Sequence, residues 1–316
     1  MVDAIVTERL TKCYNGRKVV DNLSLRVPKG TVYGFLGRNG AGKSTAIKML
    51  VGMVHADFGR AELLGENAAN LSPSTRSRIA YLAEGHPLYD WMTIGQAVSF
   101  TLSFYPAADA TFVAKVLDHF GLSTKTRIGR LSKGQRAQVS LALAIAPDPE
   151  LLILDDPTIG LDTNVRRDFL ESMIQIIQRR GRTILFSSHI LGDVERVADR
   201  VGILVDGELR VDCPVEHFKS SVRKVVVEFG RQPPPLPLID GLIGDWEIGT
   251  RRELVFVGFG PKQRAALEGQ SPRQIEVVEL NLEDAFIEYT RGPRRPLPFF
   301  AGEETNAQGA GSQGAA

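Results

Sequence analysis

The sequence predicts an α/β fold with a largely parallel sheet, followed by a small α+β domain. Up to about residue 215, aliphatic strand-like runs alternate with helix-like segments, which is the pattern of a sheet covered by helices. From about residue 221 the pattern changes to short strands such as "KVVVEF", "ELVFVGF" and "IEVVEL". We therefore place a first domain at residues 1–217 and a second at 221–291.

Four aliphatic runs are the expected strands of the parallel sheet: residues 31–36, 151–154, 183–186 and 201–205. Between about 88 and 147 the apolar residues follow helical spacing, as in "TFVAKVLDHFGL" and "GQRAQVSLALAIA", and a helical subdomain is expected there. The segment "GILVDGELRVD" has the pattern of a hairpin that turns at Asp206 and Gly207. This hairpin is expected to close the first domain.

The second domain is expected to end in a helix. In "NLEDAFIEYTR", Asn281 is the N-cap residue. Acidic residues occupy the first turn, where the positive end of the helix dipole stabilises their negative charge. Residues 292–316 are rich in Pro, Gly, Ala and Gln and contain few residues to bury, so we predict a disordered tail.

Composition excludes several classes of protein. The 38 basic and 37 acidic residues give a net charge of +1, which provides no general attraction to nucleic acid or to an anionic membrane. No apolar run approaches the roughly 20 residues of a membrane helix, and the first residues lack the apolar core of a signal peptide. We expect a cytoplasmic protein. Cys13 and Cys213 are far apart and are expected to be reduced thiols without a role.

A phosphate-binding loop is the first chemical motif. The stretch "GFLGRNGAGKSTAIKML" fits G-x-x-x-x-G-K-[ST] from Gly37 to Ser44, after a predicted strand and before a predicted helix. Its backbone N–H groups and the helix dipole attract phosphate, Lys43 reaches the β and γ phosphates, and Ser44 binds Mg²⁺. The expected nucleotide-binding residues of the loop are Gly37, Asn39, Gly40, Ala41, Gly42, Lys43, Ser44 and Thr45.

A second motif is the strand that ends on two acids, "LLILDD". Its end brings Asp155 beside the phosphate loop, where a carboxylate holds Mg²⁺ directly or through water. Two adjacent acids are costly to ionise without nearby cations, because desolvation and mutual repulsion both oppose it. A metal ion and Lys43 provide these cations.

Together, "GRNGAGKST", "LSKGQRAQVSLALAIAPDPELLILDDPTIGLD" and "ILFSSH" resemble the ATP-binding subunit of an ABC transporter, over residues 3–217. The most specific piece is "LSKGQ", residues 131–135, which matches the ABC signature. The resemblance implies a P-loop NTPase sheet with an antiparallel β subdomain and a helical insertion. The small C-terminal domain resembles the extension of export-type subunits, where dimer contacts or regulation are expected.

The resemblance also implies a head-to-tail dimer, formed with a second copy or with a paralogous ABC subunit, that closes on two ATP molecules. Ser132, Gly134 and Gln135 then belong to the nucleotide site, and Ser132 and Gly134 donate to the γ phosphate held by the other subunit. Lys133 stands where the family most often has glycine, and it adds attraction for phosphate. The remaining matches are Tyr14, which stacks on adenine, Asp162, which couples the two sites, and His189, which contacts the γ phosphate and orients the water.

Two residues depart from the family pattern. The usual catalytic glutamate corresponds to Asp156, which is one methylene shorter. A carboxylate about 1 Å from its productive position costs on the order of 100-fold in rate, so slow but not absent hydrolysis is expected. The usual glutamine that contacts Mg²⁺ and the water is replaced by Glu84, which can ligate the metal and add the negative charge that Asp156 delivers from too far away.

Some alternatives stay open from sequence. In "HPLYDWMTIG", Tyr89, Trp91 and Met92 belong either to the core of the helical subdomain or to a socket for a helix of a membrane permease. The leading function is an ATP-hydrolysing transport motor, and its rival is an ATP sensor with little turnover, half of a heterodimer. A soluble ABC ATPase that acts on ribosomes or DNA is disfavoured by the near-neutral charge.

Overall fold

The computed structural model of the protein describes residues 2–105, 108–178 and 181–290. It contains two compact units, Met1–Phe218 and Lys219–Ala316. The tail predicted at 292–316 lies outside the described residues. Among the described helices, none has both the length and the apolar composition that a membrane span requires.

The first unit contains eleven described strands and seven described α-helices, and an eighth helix leads into the second unit. The strands are β1 (Asp3–Tyr14), β2 (Arg17–Leu23), β3 (Arg26–Pro28), β4 (Val32–Gly37), β5 (Phe58–Leu63), β6 (Glu66–Asn67), β7 (Ile79–Leu82), β8 (Leu151–Leu154), β9 (Thr183–Ser188), β10 (Arg200–Val205) and β11 (Glu208–Pro214). The helices are α1 (Lys43–Leu50), α2 (Pro73–Arg76), α3 (Ile94–Ser103), α4 (Ala110–His119), α5 (Lys133–Ile145), α6 (Thr163–Gln178), α7 (Leu191–Val197) and α8 (Val215–Ser221).

A six-stranded sheet with the order β11-β10-β4-β9-β8-β7 forms the centre of the first unit. All its pairings are parallel except that of β10 with β11. Every residue of β4, β8 and β9 is buried, as expected for parallel strands covered on both faces, and this explains their continuous aliphatic runs. The four predicted strands are confirmed, and β9 extends beyond the predicted 183–186 to Ser188.

The parallel pairing brings three strand ends to one edge of this sheet. In the register, Leu36 at the end of β4 lies opposite Ser188 at the end of β9. Leu154 at the end of β8 lies opposite Phe186 of the same β9. The segments that follow β4, β8 and β9 therefore start next to one another, although the first is more than a hundred residues from the other two in sequence.

A second sheet is antiparallel, with the order β2-β1-β5-β6 and with β3 paired to β1. Its apolar face packs with strand β4 and helix α1 in one core cluster that contains Val20, Leu23, Phe35, Ile47 and Leu50. Burial of large aliphatic side chains of this kind contributes about 1.5–3 kcal/mol each. The cluster fixes helix α1, and so fixes the loop that precedes it.

Helices α3, α4 and α5 lie within the region where a helical subdomain was predicted. Each begins at a residue whose side-chain oxygen accepts a backbone N–H bond, namely Thr93, Asp109 and Ser132. The hairpin of β10 and β11 turns as predicted, because Asp206 and Gly207 both have positive φ values of 49° and 87°.

The second unit contains β12 (Val222–Glu228), β13 (Leu242–Ile248), β14 (Arg251–Val257) and β15 (Gln274–Val278), with α9 (Pro261–Glu268) and α10 (Leu282–Thr290). The sheet has the order β13-β14-β12-β15 and is antiparallel throughout. Strand β13 and helix α9 were not predicted. Strand β13 lies at an edge of the sheet and leaves all its side chains at least partly exposed, so its sequence "LIGDWEI" carries a weak strand pattern.

The predicted cap of the last helix is confirmed, because Asn281 Oδ1 accepts a hydrogen bond of 2.8 Å from the Asp284 backbone N–H. Asn281→Ala is expected to destabilise the second unit by about 1 kcal/mol, since that N–H loses its partner. Asn281→Asp keeps an acceptor and is the matched control. In a Trp91→Phe background Trp246 is the only tryptophan, and its fluorescence during urea unfolding measures the change. Equal midpoints for the alanine and aspartate variants would show that the cap does not stabilise the unit.

Candidate functional site

The loop between β4 and α1 has a backbone that depends on glycine. Gly40 and Gly42 have φ values of 83° and 104°, in the left-handed region that side chains disfavour. A Cβ on Gly42 would lie 2.4 Å from the Val19 carbonyl oxygen. Gly42 is also the N-cap of α1 and has no side chain to cap it, so the first backbone N–H groups of the helix are available to an anion.

The β10–β11 turn supports this loop from behind. The backbone N–H of Gly207 donates to the Ala41 carbonyl oxygen at 3.1 Å, and the Gly207 carbonyl oxygen accepts from Asp21 N–H at 2.8 Å. Sequence reasoning found the hairpin but not this contact, because no local pattern links residue 207 to residue 41.

Lys43 lies across the loop and is buried. Its ammonium donates to the carbonyl oxygens of Gly37 at 2.8 Å and Arg38 at 3.4 Å. Burial lowers the pKa of Lys43, and the nearby carboxylates of Asp156, Asp155 and Glu84 oppose that shift. An additional anion such as phosphate would stabilise the charged form of this buried ammonium.

Asp155 has the environment of a metal ligand. Ser44 Oγ and Ser187 Oγ both donate to its Oδ1 atom, at 3.0 and 2.9 Å. Its Oδ2 atom is buried and has no hydrogen-bond partner in the described part of the chain, and the residue is 1% exposed. An unpaired buried carboxylate oxygen is costly, and a hard cation would satisfy it.

The donor set fits Mg²⁺ bound together with a nucleotide. Within residues 2–105, 108–178 and 181–290, no group of three or more His, Cys, Asp or Glu side chains could hold a metal ion alone. Mg²⁺ bound with a nucleotide needs only one or two protein ligands, because phosphate oxygens and waters complete its octahedron. Ser44 and Asp155 are the residues that would supply these two oxygens.

Asp156 and His189 form a pair beside this pocket. His189 Nδ1–H donates to Asp156 Oδ2 at 2.7 Å. Asp156 also has a positive φ of 45°, and its backbone N–H donates to Ser187 Oγ at 2.9 Å. Its second carboxylate oxygen, Oδ1, is buried and lacks a hydrogen-bond partner among the described residues. His189 thus holds the carboxylate through Oδ2, and Oδ1 remains as an acceptor without a donor.

Ser187 is the residue that sequence reasoning missed. It is fully buried at the end of β9, accepts from the Asp156 N–H and donates to Asp155, so a single hydroxyl orients both acids. The segment "ILFSSH" contained the signal, because two hydroxyl side chains directly follow an apolar strand run. The parallel pairing of β8 and β9 was needed to show that Ser187 faces the acids.

The segment after Asp156 is anchored at two further points. Thr158 Oγ1 donates to Asp193 Oδ2 at 3.0 Å, and the other Asp193 oxygen is 3.5 Å from Arg166 Nε. Burial raises the pKa of Asp193, and the bonds from Thr158 and Arg166 oppose that shift. Asp162 Oδ1 accepts from Val165 N–H at 3.0 Å at the start of α6. Its predicted role in coupling two sites stays a prediction.

The signature residues begin helix α5. Ser132 and Gln135 form a reciprocal cap, with Ser132 Oγ accepting from Gln135 N–H at 3.2 Å and Gln135 Oε1 accepting from Ser132 N–H at 3.1 Å. A Cβ on Gly134 would lie 2.5 Å from Val165 Cγ1, so glycine here allows α5 and α6 to approach closely. These contacts explain Gly134 and Gln135 within one chain, and their contact with a nucleotide in a second subunit stays a prediction.

Two of the predicted site residues, Glu84 and Tyr14, are exposed. Glu84 is exposed after β7 and acts electrostatically on Lys43. Tyr14 ends β1, is 45% exposed, and has Lys12 Nζ 5.4 Å from its ring centroid. The exposed ring leaves surface for a base to stack on, and this role of Tyr14 stays a prediction.

Comparisons with known proteins point to one family. A family model described as ABC transporter matches residues 20–159. Bacitracin transport ATP-binding protein BcrA of Bacillus licheniformis is 36% identical over 302 residues, covering 92% of this chain and 99% of that protein. Nod factor export ATP-binding protein I of Burkholderia lata is 32% identical over 289 residues, covering 88% of this chain and 94% of that protein.

A solved structure of an ATP-binding subunit of an ABC transporter superposes with a TM-score of 0.63 at 27% identity, covering 69% of this chain and 92% of that chain. The predicted fold class, a P-loop NTPase sheet with an antiparallel β subdomain and a helical insertion, is confirmed. Members of this family bind ATP and hydrolyse it. By its sequence, its fold and the residues at its phosphate loop, the chain belongs to the family of ABC transporter ATP-binding proteins.

Proposed function

We propose that the chain is the ATP-hydrolysing motor subunit of an exporter whose membrane permease is a separate protein. The observation that supports this most directly is the Asp156–His189 pair, 2.7 Å apart, beside the Ser44–Asp155 pair at the same sheet edge. Metal binding and water activation thereby have separate residues in one place. An ATP sensor without turnover would not need the second pair.

In the proposed site, the backbone N–H groups at residues 40–44 and the ammonium of Lys43 bind the β and γ phosphates. Ser44 and Asp155 hold Mg²⁺, which neutralises charge on the phosphate oxygens when bound. Tyr14 offers its exposed ring to the adenine. The triphosphate is thus bound by the loop and oriented along the sheet edge before any reaction.

Asp156 and His189 act on the water. The bare Oδ1 of Asp156 accepts a hydrogen bond from the water, while His189 holds the other oxygen of the carboxylate. The water oxygen forms a bond to the γ phosphorus as the bond to the ADP oxygen breaks, and the proton leaves with inorganic phosphate. Catalysis therefore consists of positioning and charge stabilisation.

The backbone at residue 156 offers a reason for aspartate at this position. Its φ of 45° lies in the left-handed region, where Asp and Asn are tolerated better than longer side chains. We propose that the shorter carboxylate makes hydrolysis slow, and that Glu84 compensates in part by adding negative charge near Lys43.

The partners are proposed on the same basis. Ser132 and Gly134 of a second copy, or of a paralogous ABC subunit, complete each ATP site in a head-to-tail dimer. The names of two relatives, a bacitracin transport protein and a Nod factor export protein, favour export. We propose a cytoplasmic subunit that is peripheral on the inner face of the membrane through its permease and does not bind nucleic acid.

The permease socket is proposed at Tyr89 and Trp91. Met92 is 8% exposed and belongs to the core, whereas Tyr89 and Trp91 are 59% and 66% exposed with ring centroids 6.1 Å apart. The two interpretations left open by the sequence therefore apply to different residues. A pair of exposed aromatic rings suits an anchor site for a short helix.

Replacement of Asp156 tests the hydrolytic role. Asp156→Asn is expected to lower steady-state phosphate release by about 100-fold or more, because the amide is a poor acceptor for the water. Asp156→Glu keeps the charge and reaches further, so turnover should not fall, although stability falls by about 1 kcal/mol from the left-handed backbone. ATP binding is measured alongside as a control. Unchanged turnover in the asparagine variant would overturn the role of Asp156, whereas no phosphate release by the wild-type chain would favour the sensor.

Replacement of Glu84 tests the compensation proposal. Glu84→Ala removes both the ligand oxygen and the charge, whereas Glu84→Gln removes only the charge. Both are expected to lower turnover, with the glutamine variant reduced by about tenfold and the alanine variant reduced further. If Glu84→Gln releases phosphate at the wild-type rate, the charge is not needed and Asp156 acts without compensation.

Replacement of Trp91 tests the socket. Trp91→Ala is expected to weaken binding to inverted membrane vesicles of the native cells by about tenfold, because an interface anchor is lost. ATP binding should be unchanged. Phe58→Ala, at another exposed aromatic residue, is the control, and liposomes of the same lipids without protein measure lipid binding alone. Equal loss of vesicle and ATP binding would instead assign Trp91 to the folding of the subdomain.

A further inference from the structure

His86 is a buried residue that none of the site motifs includes. It is 4% exposed, and its Nε2 atom lies 3.0 Å from the carbonyl oxygen of Pro157, 71 residues further along the chain. A carbonyl oxygen can only accept, so Nε2–H is the donor and carries the proton of the ring. This bond connects the segment after β7 to the segment after β8.

The two ends of this bond lie next to the two acids that define the hydrolytic side of the site. Pro157 directly follows Asp156, and His86 comes two residues after Glu84. After Glu84, Gly85 and His86 have φ values of 76° and 51°. The backbone N–H of His86 donates to the Ala83 carbonyl oxygen at 3.3 Å. The histidine therefore sits on a tight turn and has little freedom to follow a moving partner.

The surroundings hold the ring in place. The His86 ring lies 6.5 Å from that of Phe169 on α6, with their planes inclined at 54°. Asp156 itself has a left-handed φ of 45°, a conformation that persists only where neighbouring contacts determine it. The bond to Pro157 O is one such contact, and it holds the 157–158 peptide, one residue beyond the strained Asp156.

We infer that His86 is a positioning residue that holds the Asp156 carboxylate at its working place through the Pro157 carbonyl oxygen. This inference depends on the proposed hydrolytic role of Asp156. Without the bond, the segment at residues 156–158 is free to relax, so that Asp156 leaves its left-handed conformation and its carboxylate moves. A displacement of about 1 Å costs on the order of 100-fold in rate, while binding of ATP at the phosphate loop is untouched.

The test compares two side chains of equal length at position 86. Gln places an N–H donor near the position of Nε2, whereas Met has no donor and adapts to irregular space. The ring also lines a cavity of about 280 Å³, which gives either side chain room to settle. His86→Met should lower kcat for ATP hydrolysis by about 10–100-fold with an unchanged KM, and His86→Gln should restore most of it.

A double-mutant cycle with Asp156→Asn provides the second measurement. If His86 acts through Asp156, then His86→Met lowers the residual rate of the Asp156→Asn variant by less than about twofold. His119→Met, at an exposed histidine on α4, controls for the substitution itself. Thermal melting identifies a folding failure, in which case His86→Phe, which keeps a ring without a donor, replaces His86→Met.

The outcomes separate this inference from the function on which it rests. A wild-type rate in the donor-free variant, an equal loss in the Gln and Met variants, or a full additional loss in the Asp156→Asn background overturns the role of His86. Loss of turnover in Asp156→Asn with none in His86→Met leaves the proposed function standing. Turnover that is insensitive to Asp156→Asn overturns the proposed hydrolytic role of Asp156 and this inference with it, and absence of phosphate release by the wild-type chain overturns the proposed function.

Discussion

The site depends on holding two adjacent carboxylates at the buried end of a strand. Asp155 and Asp156 are 1% and 6% exposed, and two negative charges in such a place need compensation. The chain provides it asymmetrically: hydroxyls of Ser44 and Ser187 bind one carboxylate, and His189 binds the other. Each acid keeps one buried oxygen without a partner in the part of the chain that is described. These two oxygens are the ones to which we assign the proposed tasks, metal binding at Asp155 and water activation at Asp156.

The rest of the first unit keeps this arrangement in register. Parallel pairing of β4, β9 and β8 places the phosphate loop, His189 and the acids at one edge of the sheet. The antiparallel sheet fixes α1 through a shared core, and the β10–β11 turn supports the loop through the bond between Gly207 and Ala41. Bonds of Thr158 and Asp162 hold the segment after the acids. The loops that carry the site are thus held in place by the strands and helices that surround them.

Two of the non-glycine residues with a left-handed backbone lie beside the acids. Asp156 and His86 both have a positive φ although neither is glycine. Asp156 lies in the segment after β8, and His86 lies in the segment after β7. Left-handed residues cost about 1–3 kcal/mol each and persist where surrounding contacts impose them. Here the contacts are the Ser187 hydroxyl, the His189 ring and the bond from His86 to Pro157. The strain and its supports together set where the Asp156 carboxylate lies at the edge of the sheet.

The sequence by itself determined the class of fold, four strands of the central sheet, the hairpin turn, the cap at Asn281 and the phosphate loop. These are local properties, because aliphatic runs, glycines at fixed spacing and capping residues act within a few positions. It also indicated Asp155 and Asp156, since an aliphatic strand that ends on two acids is a local pattern. The weak signals were missed: β13 is a half-exposed edge strand, and α9 carries no strong apolar face.

Only the tertiary structure decided which groups hold the acids in place. The contacts of Ser187 and His86 span 31 to 71 residues of sequence, and they follow from strand pairing rather than from any motif. The same holds for Trp91 and Met92, which are adjacent in sequence, although Met92 is buried and Trp91 is exposed. Composition and spacing fix which groups a chain possesses. The packing of the sheet fixes which of them meet, because distance in a fold is set by register and burial rather than by position along the chain.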